Sequence, residues 1–224
     1  AANNTAIGFA SLQFNTTGTG NSAVGTFALD KTTTGSFNTA FGYAALTQQT
    51  ATGSVYNTAM GYNAGAAVTT GVQNTLIGGL AGDAITTGSY NSAVGMSALG
   101  ANTTGASNTA VGQDSLSLNT TGANNVSLGA YTLDANTTAS NNTAVGTSAL
   151  GANTTGHGNA AFGMNSLLSN TTGSGNSAFG SYQAGVQYAP LRNNTTGGSN
   201  SAFGVGALYA NTTASNNSAF GFNA

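Results

Sequence analysis

The sequence predicts an all-β protein, a parallel β-solenoid (β-roll) of about 13 coils with a 17-residue repeat. Three observations carry that prediction. First, the pentapeptide Asn-[Thr/Ser]-Ala-[large apolar]-Gly, or a close variant, returns thirteen times, its Asn falling at Asn4, Asn21, Asn38, Asn57, Asn74, Asn91, Asn108, Asn125, Asn142, Asn159, Asn176, Asn200 and Asn217. Second, only two of the twelve intervals depart from 17 residues, and a fixed short period means that each repeat stacks on its neighbours and none folds alone. Third, the Thr-Thr-Gly and Asn-Thr clusters of most repeats are poor helix material. Disorder does not repeat a bulky side chain in register, and collagen needs Gly at every third residue.

Numbered from its Asn, the repeat reads Asn at position 1, Thr or Ser at 2, Ala at 3, an apolar residue at 4, Gly at 5, Ala or Ser at 8, Leu at 9, Asn at 12, Thr at 13 and 14 and Gly at 15. Thr/Ser-Ala-apolar is strand-like, with positions 2 and 4 on one face and 3 on the other. Position 4 varies in volume but is always of buried type, as in Ile7, Val94, Leu128 and Phe203, so it is expected to be the core ladder. The Gly that follows allows the φ > 0 bend to the next side of the coil. Where Leu at position 9 is replaced by Gly65 or Gly82, the Asn at position 12 becomes Val68 or Ile85. Volume lost at one place is restored at the other, which predicts one shared interior. Asn at position 12, as in Asn102, Asn119 and Asn136, is expected to stack and hydrogen-bond from coil to coil.

The six charged side chains locate the outside: Asp30, Asp83, Asp134 and Lys31 at positions 10 and 11, Asp114 at 7, and Arg192 in the one long insertion. Removing residues 186–192 restores a 17-residue interval, with Gly185 at position 10 and Asn193 at 11. The chain thus reads as a single repeat domain over 1–224 with an inserted loop at 186–192 on an exposed corner. Ala184, at position 9 in that register, is a departure with no compensating partner. One extra residue on each side of Gly53 makes a smaller irregularity. A stacking distance of about 4.8 Å per coil would give a rod on the order of 60 Å long with a thin core, and packing the Ala-faced walls of several chains together would bury more.

The strand motif, as in Asn91-Ser92-Ala93-Val94-Gly95 and Asn108-Thr109-Ala110-Val111-Gly112, resembles the head repeats of YadA-like trimeric autotransporter adhesins. Segments such as Asn102-Thr103-Thr104-Gly105 are similar to repeats of phage tail fibres and tail-fibre-domain surface proteins. The resemblance covers the whole chain, which differs in its longer coil and its added Thr-Thr-Gly. It implies a left-handed parallel β-roll, association of three chains about a common axis, and a rod that presents binding sites or acts as a spacer.

Chemistry of other kinds finds little support. A net charge of −2 with no basic stripe disfavours nucleic acid, no long apolar run points to membrane insertion, and no Cys is present for thiolate metal sites. Gly18-Thr19-Gly20-Asn21-Ser22-Ala23 and Gly173-Ser174-Gly175-Asn176-Ser177-Ala178 fit a loose dinucleotide fingerprint, but each spans a repeat junction with no βαβ unit around it. His157 is the only histidine, and the scattered Asp residues assemble neither a triad nor a carboxylate pair. No catalytic, metal or cofactor site is therefore expected.

Asn-Thr-Thr is also an N-glycosylation pattern, though an inward-facing position 12 would not admit a glycan. The two Thr columns raise ice binding, yet alternation lets only one of them face outward. The reading that fits best is a non-enzymatic, extracellular or virion-borne fibre or adhesin shaft, a segment of a longer protein that self-associates as a homotrimer or lengthwise filament. The alternatives are a self-assembling filament subunit built through uncapped end coils, and a module that binds a cell-surface glycan or receptor. Candidate recognition residues for such a module are Tyr188 and Arg192, an aromatic and a cation of the kind enriched at hot spots.

Overall fold

The computed structural model describes residues 2–181 and 188–224. The chain divides into two compact units, Ala1–Asn108 and Thr109–Ala224, and every regular element among the described residues is a strand. In the first unit, β1 (Thr5–Ile7), β2 (Ser22–Val24), β4 (Thr39–Phe41), β6 (Thr58–Met60), β7 (Thr75–Ile77) and β8 (Ser92–Val94) pair in parallel in that order. The short strands β3 (Gly35–Ser36) and β5 (Gly53–Ser54) form a second parallel pair. In the second unit, β9 (Thr109–Val111), β10 (Val126–Leu128), β11 (Thr143–Val145), β12 (Ala160–Phe162), β13 (Ser177–Phe179), β14 (Ser201–Phe203) and β15 (Ser218–Phe220) pair each with the next. Equivalent repeat positions are always partners, as in Ala144↔Ala161 and Val145↔Phe162. Each unit is thus a parallel β-solenoid with one strand per repeat, the fold class read from the period.

Position 4 is not the core ladder. Ile7, Phe41 and Phe220 are 60, 54 and 70% exposed, whereas the Ala at position 3 is fully buried in coil after coil, from Ala23 to Ala202. The strand alternates as expected, but with its small residue inward. The interior is filled from the opposite side by the Leu at position 9, a buried column running through Leu29, Leu99, Leu150 and Leu167, which leaves room at position 3 for a methyl group. One coil reveals the limit. Leu76 is the single Leu at position 3, and it lies beside both glycines that replace Leu at position 9. A Cβ on Gly65 would meet Leu76 Cδ1 at 2.7 Å, and one on Gly82 would meet Leu76 Cδ2 at 2.8 Å. Val68 and Ile85 are fully buried there too, so the shared interior of positions 9 and 12 extends to position 3.

Two columns of asparagine line that interior. At position 1, the Asn38 N–H donates to Asn21 Oδ1 (2.9 Å), and its own Oδ1 accepts from the Asn57 N–H (3.1 Å). The Nδ2 of the same residue type reaches the carbonyl of position 15, as from Asn142 to Gly156 (3.0 Å) and from Asn159 to Gly173 (2.9 Å). At position 12 the expected ladder is present: Asn136 Nδ2 donates to Asn119 Oδ1 (2.8 Å), Asn153 to Asn136 (3.1 Å) and Asn170 to Asn153 (2.9 Å). These bonds satisfy buried amides that would otherwise cost free energy. The Gly at position 5 has the backbone its context requires: Gly112 lies at φ +132°, and a Cβ there would sit 2.5 Å from the Gly129 carbonyl carbon.

The long insertion is displaced from where the sequence placed it. Leu191 is fully buried at position 9, with its N–H donating to Ala207 O (3.0 Å), while Leu167 N–H donates to Pro190 O (3.2 Å). Arg192 therefore occupies position 10 and Tyr188 position 6, so residues 188–192 belong to the coil itself. The seven residues in excess of 17 fall between Gly180 and Tyr188. Ala184 and Gly185, together with Val186 and Gln187 of the expected loop, lie outside the described residues. Any seven-residue deletion in this stretch restores the period, and only the volume of Leu191 distinguishes one register from another. The irregularity around Gly53 does fall as expected: Gly35 pairs with Gly53 at an offset of 18, and Asn38 bonds Asn57 at an offset of 19.

Candidate functional site

What the fold leaves on its surface follows from the alternation of each strand. Positions 2 and 4 face outward, so each sheet presents a column of Thr or Ser beside a column of apolar side chains. In the first unit a further run of large residues at positions 6 and 7 flanks the Gly column. Phe9, Phe27, Tyr43 and Tyr62 follow one another with ring centroids 5.6, 6.0 and 5.6 Å apart. Phe9, Tyr62 and Met96 are 72, 58 and 54% exposed. In the second unit the position 4 column ends in four phenylalanines. Phe162, Phe179, Phe203 and Phe220 stack face to face with centroids 4.6, 4.8 and 4.9 Å apart and planes within 8° of parallel. Because ring covers ring, the inner members Phe179 and Phe203 offer solvent their edges, while Phe220, stacked on one side only, is 70% exposed.

The charges are elsewhere. They occupy positions 7, 10 and 11, and none lies at positions 2 or 4. Burial pushes the Asp83 carboxyl above its ordinary value, against hydrogen bonds from its own backbone and that of Ala84. Asp134 is raised for the same reason, with a smaller push from Asp114, which stands close enough to repel it. Lys31 Nζ donates to Gln48 Oε1 of the next coil (2.8 Å) on an exposed surface. Among the described residues no three His, Asp or Glu side chains gather closely enough to hold a metal ion, and no helix is long and apolar enough to cross a membrane.

Tyr188 and Arg192 flank the buried run Ala189–Leu191 rather than meeting on a projecting loop. Tyr188 is 36% exposed and packs edge-on against Tyr209, centroids 4.4 Å apart. Arg192 is half-buried, its carbonyl accepts from the Ser169 N–H (3.0 Å), and its Nε is buried with no hydrogen-bond partner among the described residues. His157 is exposed, and its backbone N–H donates to Ser174 Oγ (3.1 Å).

The glycines that mimic a dinucleotide fingerprint have a packing role. A Cβ on Gly18 would stand 2.6 Å from Asn15 Oδ1, and one on Gly173 would stand 3.1 Å from Asn176 Nδ2, so both make room for the Asn columns. The amide of position 12 is buried and commits both its protons, as Asn153 does to Asn136 Oδ1 and to Gly156 O (2.9 Å). A glycan there would require leaving the interior. Of the two Thr columns, position 13 turns its hydroxyl to the next coil's carbonyl, as from Thr154 to Thr171 (3.0 Å), and position 14 is the exposed one, as at Thr155 and Thr172.

These features define a class, the parallel β-solenoid repeat proteins, with a charge-free apolar ridge as its main surface feature. No protein-family profile, no curated protein and no solved structure matches the chain.

Proposed function

We propose that the chain is a segment of an extracellular or virion-borne fibre, a non-enzymatic solenoid shaft that holds its shape through stacked coils and associates with further copies of itself, as a homotrimer or as a lengthwise filament. The observation that carries this reading is the combination of an interior bonded from coil to coil by two Asn columns with an uncharged outer sheet face that bears a column of exposed apolar side chains. A soluble monomer rarely exposes contiguous apolar area of this extent, and such patches mark association surfaces. Cryo-electron microscopy of the purified chain tests it: the expected result is elongated multimers with a coil repeat of about 4.8 Å, and uniform single-chain particles would overturn it.

A receptor- or glycan-binding module is the alternative. The exposed edge of Tyr188 beside a coil bearing the only Arg in the chain supports it. The buried residues between the two, and the edge-only exposure of the inner Phe rings, support it less, because sugars stack on ring faces. Ice binding has the exposed Thr column of position 14 and the Thr or Ser column of position 2 to draw on, the second broken by Val126 and Ala160.

A further inference from the structure

We infer that the position 4 column is the seam along which a second copy of this chain packs, ridge against ridge, an inference that rests on the self-association proposed above and assigns it a surface. Five observations lead there. The column faces outward in both units, the reverse of what its composition suggests. It is bordered by uncharged Thr and Ser, so a charged partner finds nothing to pair with and an identical partner meets no like-charge repulsion. Its Phe portion is stacked with planes within 8° of parallel, which closes the faces of the inner rings Phe179 and Phe203 to planar ligands and leaves a continuous apolar edge.

The area is adequate. In the first unit alone, eight large residues at positions 4 and 6 are 37–72% exposed. At roughly 150–250 Å² for each aromatic side chain and less for Ile7, Met60, Val94 and Met96, the position 4 column with its position 6 flank leaves several hundred Å² uncovered, approaching the roughly 800 Å² that one partner contributes to a standard interface. The ridge is also periodic. Equivalent residues pair at every step, so only a partner with the same rise per coil meets the ridge at each coil, and another copy of the chain has that rise by construction. Flat sheet faces bearing columns of like side chains interdigitate into dry interfaces. This surface differs from the Ala wall considered from the sequence, since the Ala column is sealed inside the coil.

The test introduces charge on the ridge. Phe41→Lys, Met60→Lys, Val145→Lys and Phe179→Lys combined should leave the circular dichroism unchanged and convert multimers to monomers in analytical ultracentrifugation, weakening association at least about a hundredfold. Thr104→Lys, Thr121→Lys, Thr155→Lys and Thr172→Lys, all on the exposed Thr column, should leave the multimers intact. Mixing the ridge Lys variant with a ridge Glu variant at the same four positions should restore association at low salt, because the two ridges then attract. If the four-Lys ridge variant loses its fold, Val145→Thr with Phe179→Ser takes its place, with the same expected loss of multimers.

A folded ridge variant that stays multimeric overturns the seam and leaves self-association standing. Monomers that the Lys and Glu mixture fails to rescue show that the ridge meets another wall, and also overturn it. An unaltered chain that is monomeric up to about 100 μM overturns both the seam and the proposed self-association.

Discussion

Leucine in the left-handed region is strained, yet most coils place one there: Leu29, Leu99, Leu150 and Leu167 lie at φ 52°, 55°, 54° and 52°. For an L-residue that conformation costs roughly 1–2 kcal/mol. Burying a Leu side chain contributes roughly 1.5–3 kcal/mol, so the column persists where its volume is needed. Gly65 and Gly82, at φ 60° and 56°, relieve the strain and give up the volume, which Leu76, Val68 and Ile85 supply from other sides of the coil. The exchange predicts strong coupling. Gly82→Leu alone should destabilise by about 1–3 kcal/mol, because its Cβ would already press on Leu76 and Ile85. Leu76→Ala alone should cost about 2–5 kcal/mol. In the Leu76→Ala background Gly82→Leu should cost less, with only Ile85 left to give way, and thermal unfolding of the four members of the cycle measures it. Additive effects would mean that the three positions do not share one interior.

Among the elements, the coil that ends at Asn194 shows how far a period alone can be trusted. The 24-residue interval between Asn176 and Asn200 is plain in the sequence, and the ladder across it is unbroken, with Asn200 N–H donating to Asn176 Oδ1 (3.0 Å). Which seven residues are the extra ones is a question of side-chain volume. Ala184 at position 9 would leave a cavity, and Leu191 fills it. Two deletions therefore differ. Removing residues 181–187 leaves Leu191 in place at a 17-residue spacing and should keep the β-rich circular dichroism and melting temperature. Removing residues 186–192 takes Leu191 away and should lower stability by about 2–5 kcal/mol, the cost of a large-to-small change in a core.

The inward side of the strands was hidden for a related reason. Alternation is legible in Thr-Ala-Val, but large apolar residues at position 4 and Ala at position 3 invite the wrong face. The signal that would have corrected it was Leu76, the one large residue at position 3, sitting between the two glycine substitutions. The Asn column at position 1 was legible as an invariant of the repeat, but its bonding to the position 15 carbonyl depends on a coil cross-section that spacing does not supply. Tyr188 and Arg192 stood out as residue types and lost their loop once the register shifted.

At the scale of the whole molecule, four carboxylates and two cations leave little to titrate, so pH acts through few groups. Asp83 and Asp134 have folded values raised above the ordinary 3.8 by burial. The folded chain therefore holds their protons more tightly than the unfolded chain does. Their cost to stability is absent below about pH 3.8, grows as pH rises through their raised values, and is complete above them. The expected outcome is a melting temperature that falls between pH 3 and neutrality, opposite to ordinary acid denaturation, and that flattens in Asp83→Asn with Asp134→Asn. A wild-type profile with no such fall, or one unchanged in the double variant, would show that neither carboxyl loses solvation on folding.

The coil-to-coil bonding has a consequence for how such a chain changes over generations. Within the second unit every ladder partner lies one repeat away, so losing residues 142–158 would bring Asn159 onto Asn125, Ala161 onto Ser127 and Leu167 onto Leu133, the same positions joined as before. Unequal recombination between near-identical stretches would thus yield a shorter or longer chain with no new contact to invent. Length would then change in steps of 17 residues, whereas a point substitution at position 3, 9 or 12 would have to be matched by its own coil or the next, as Leu76 is by Gly65 and Gly82.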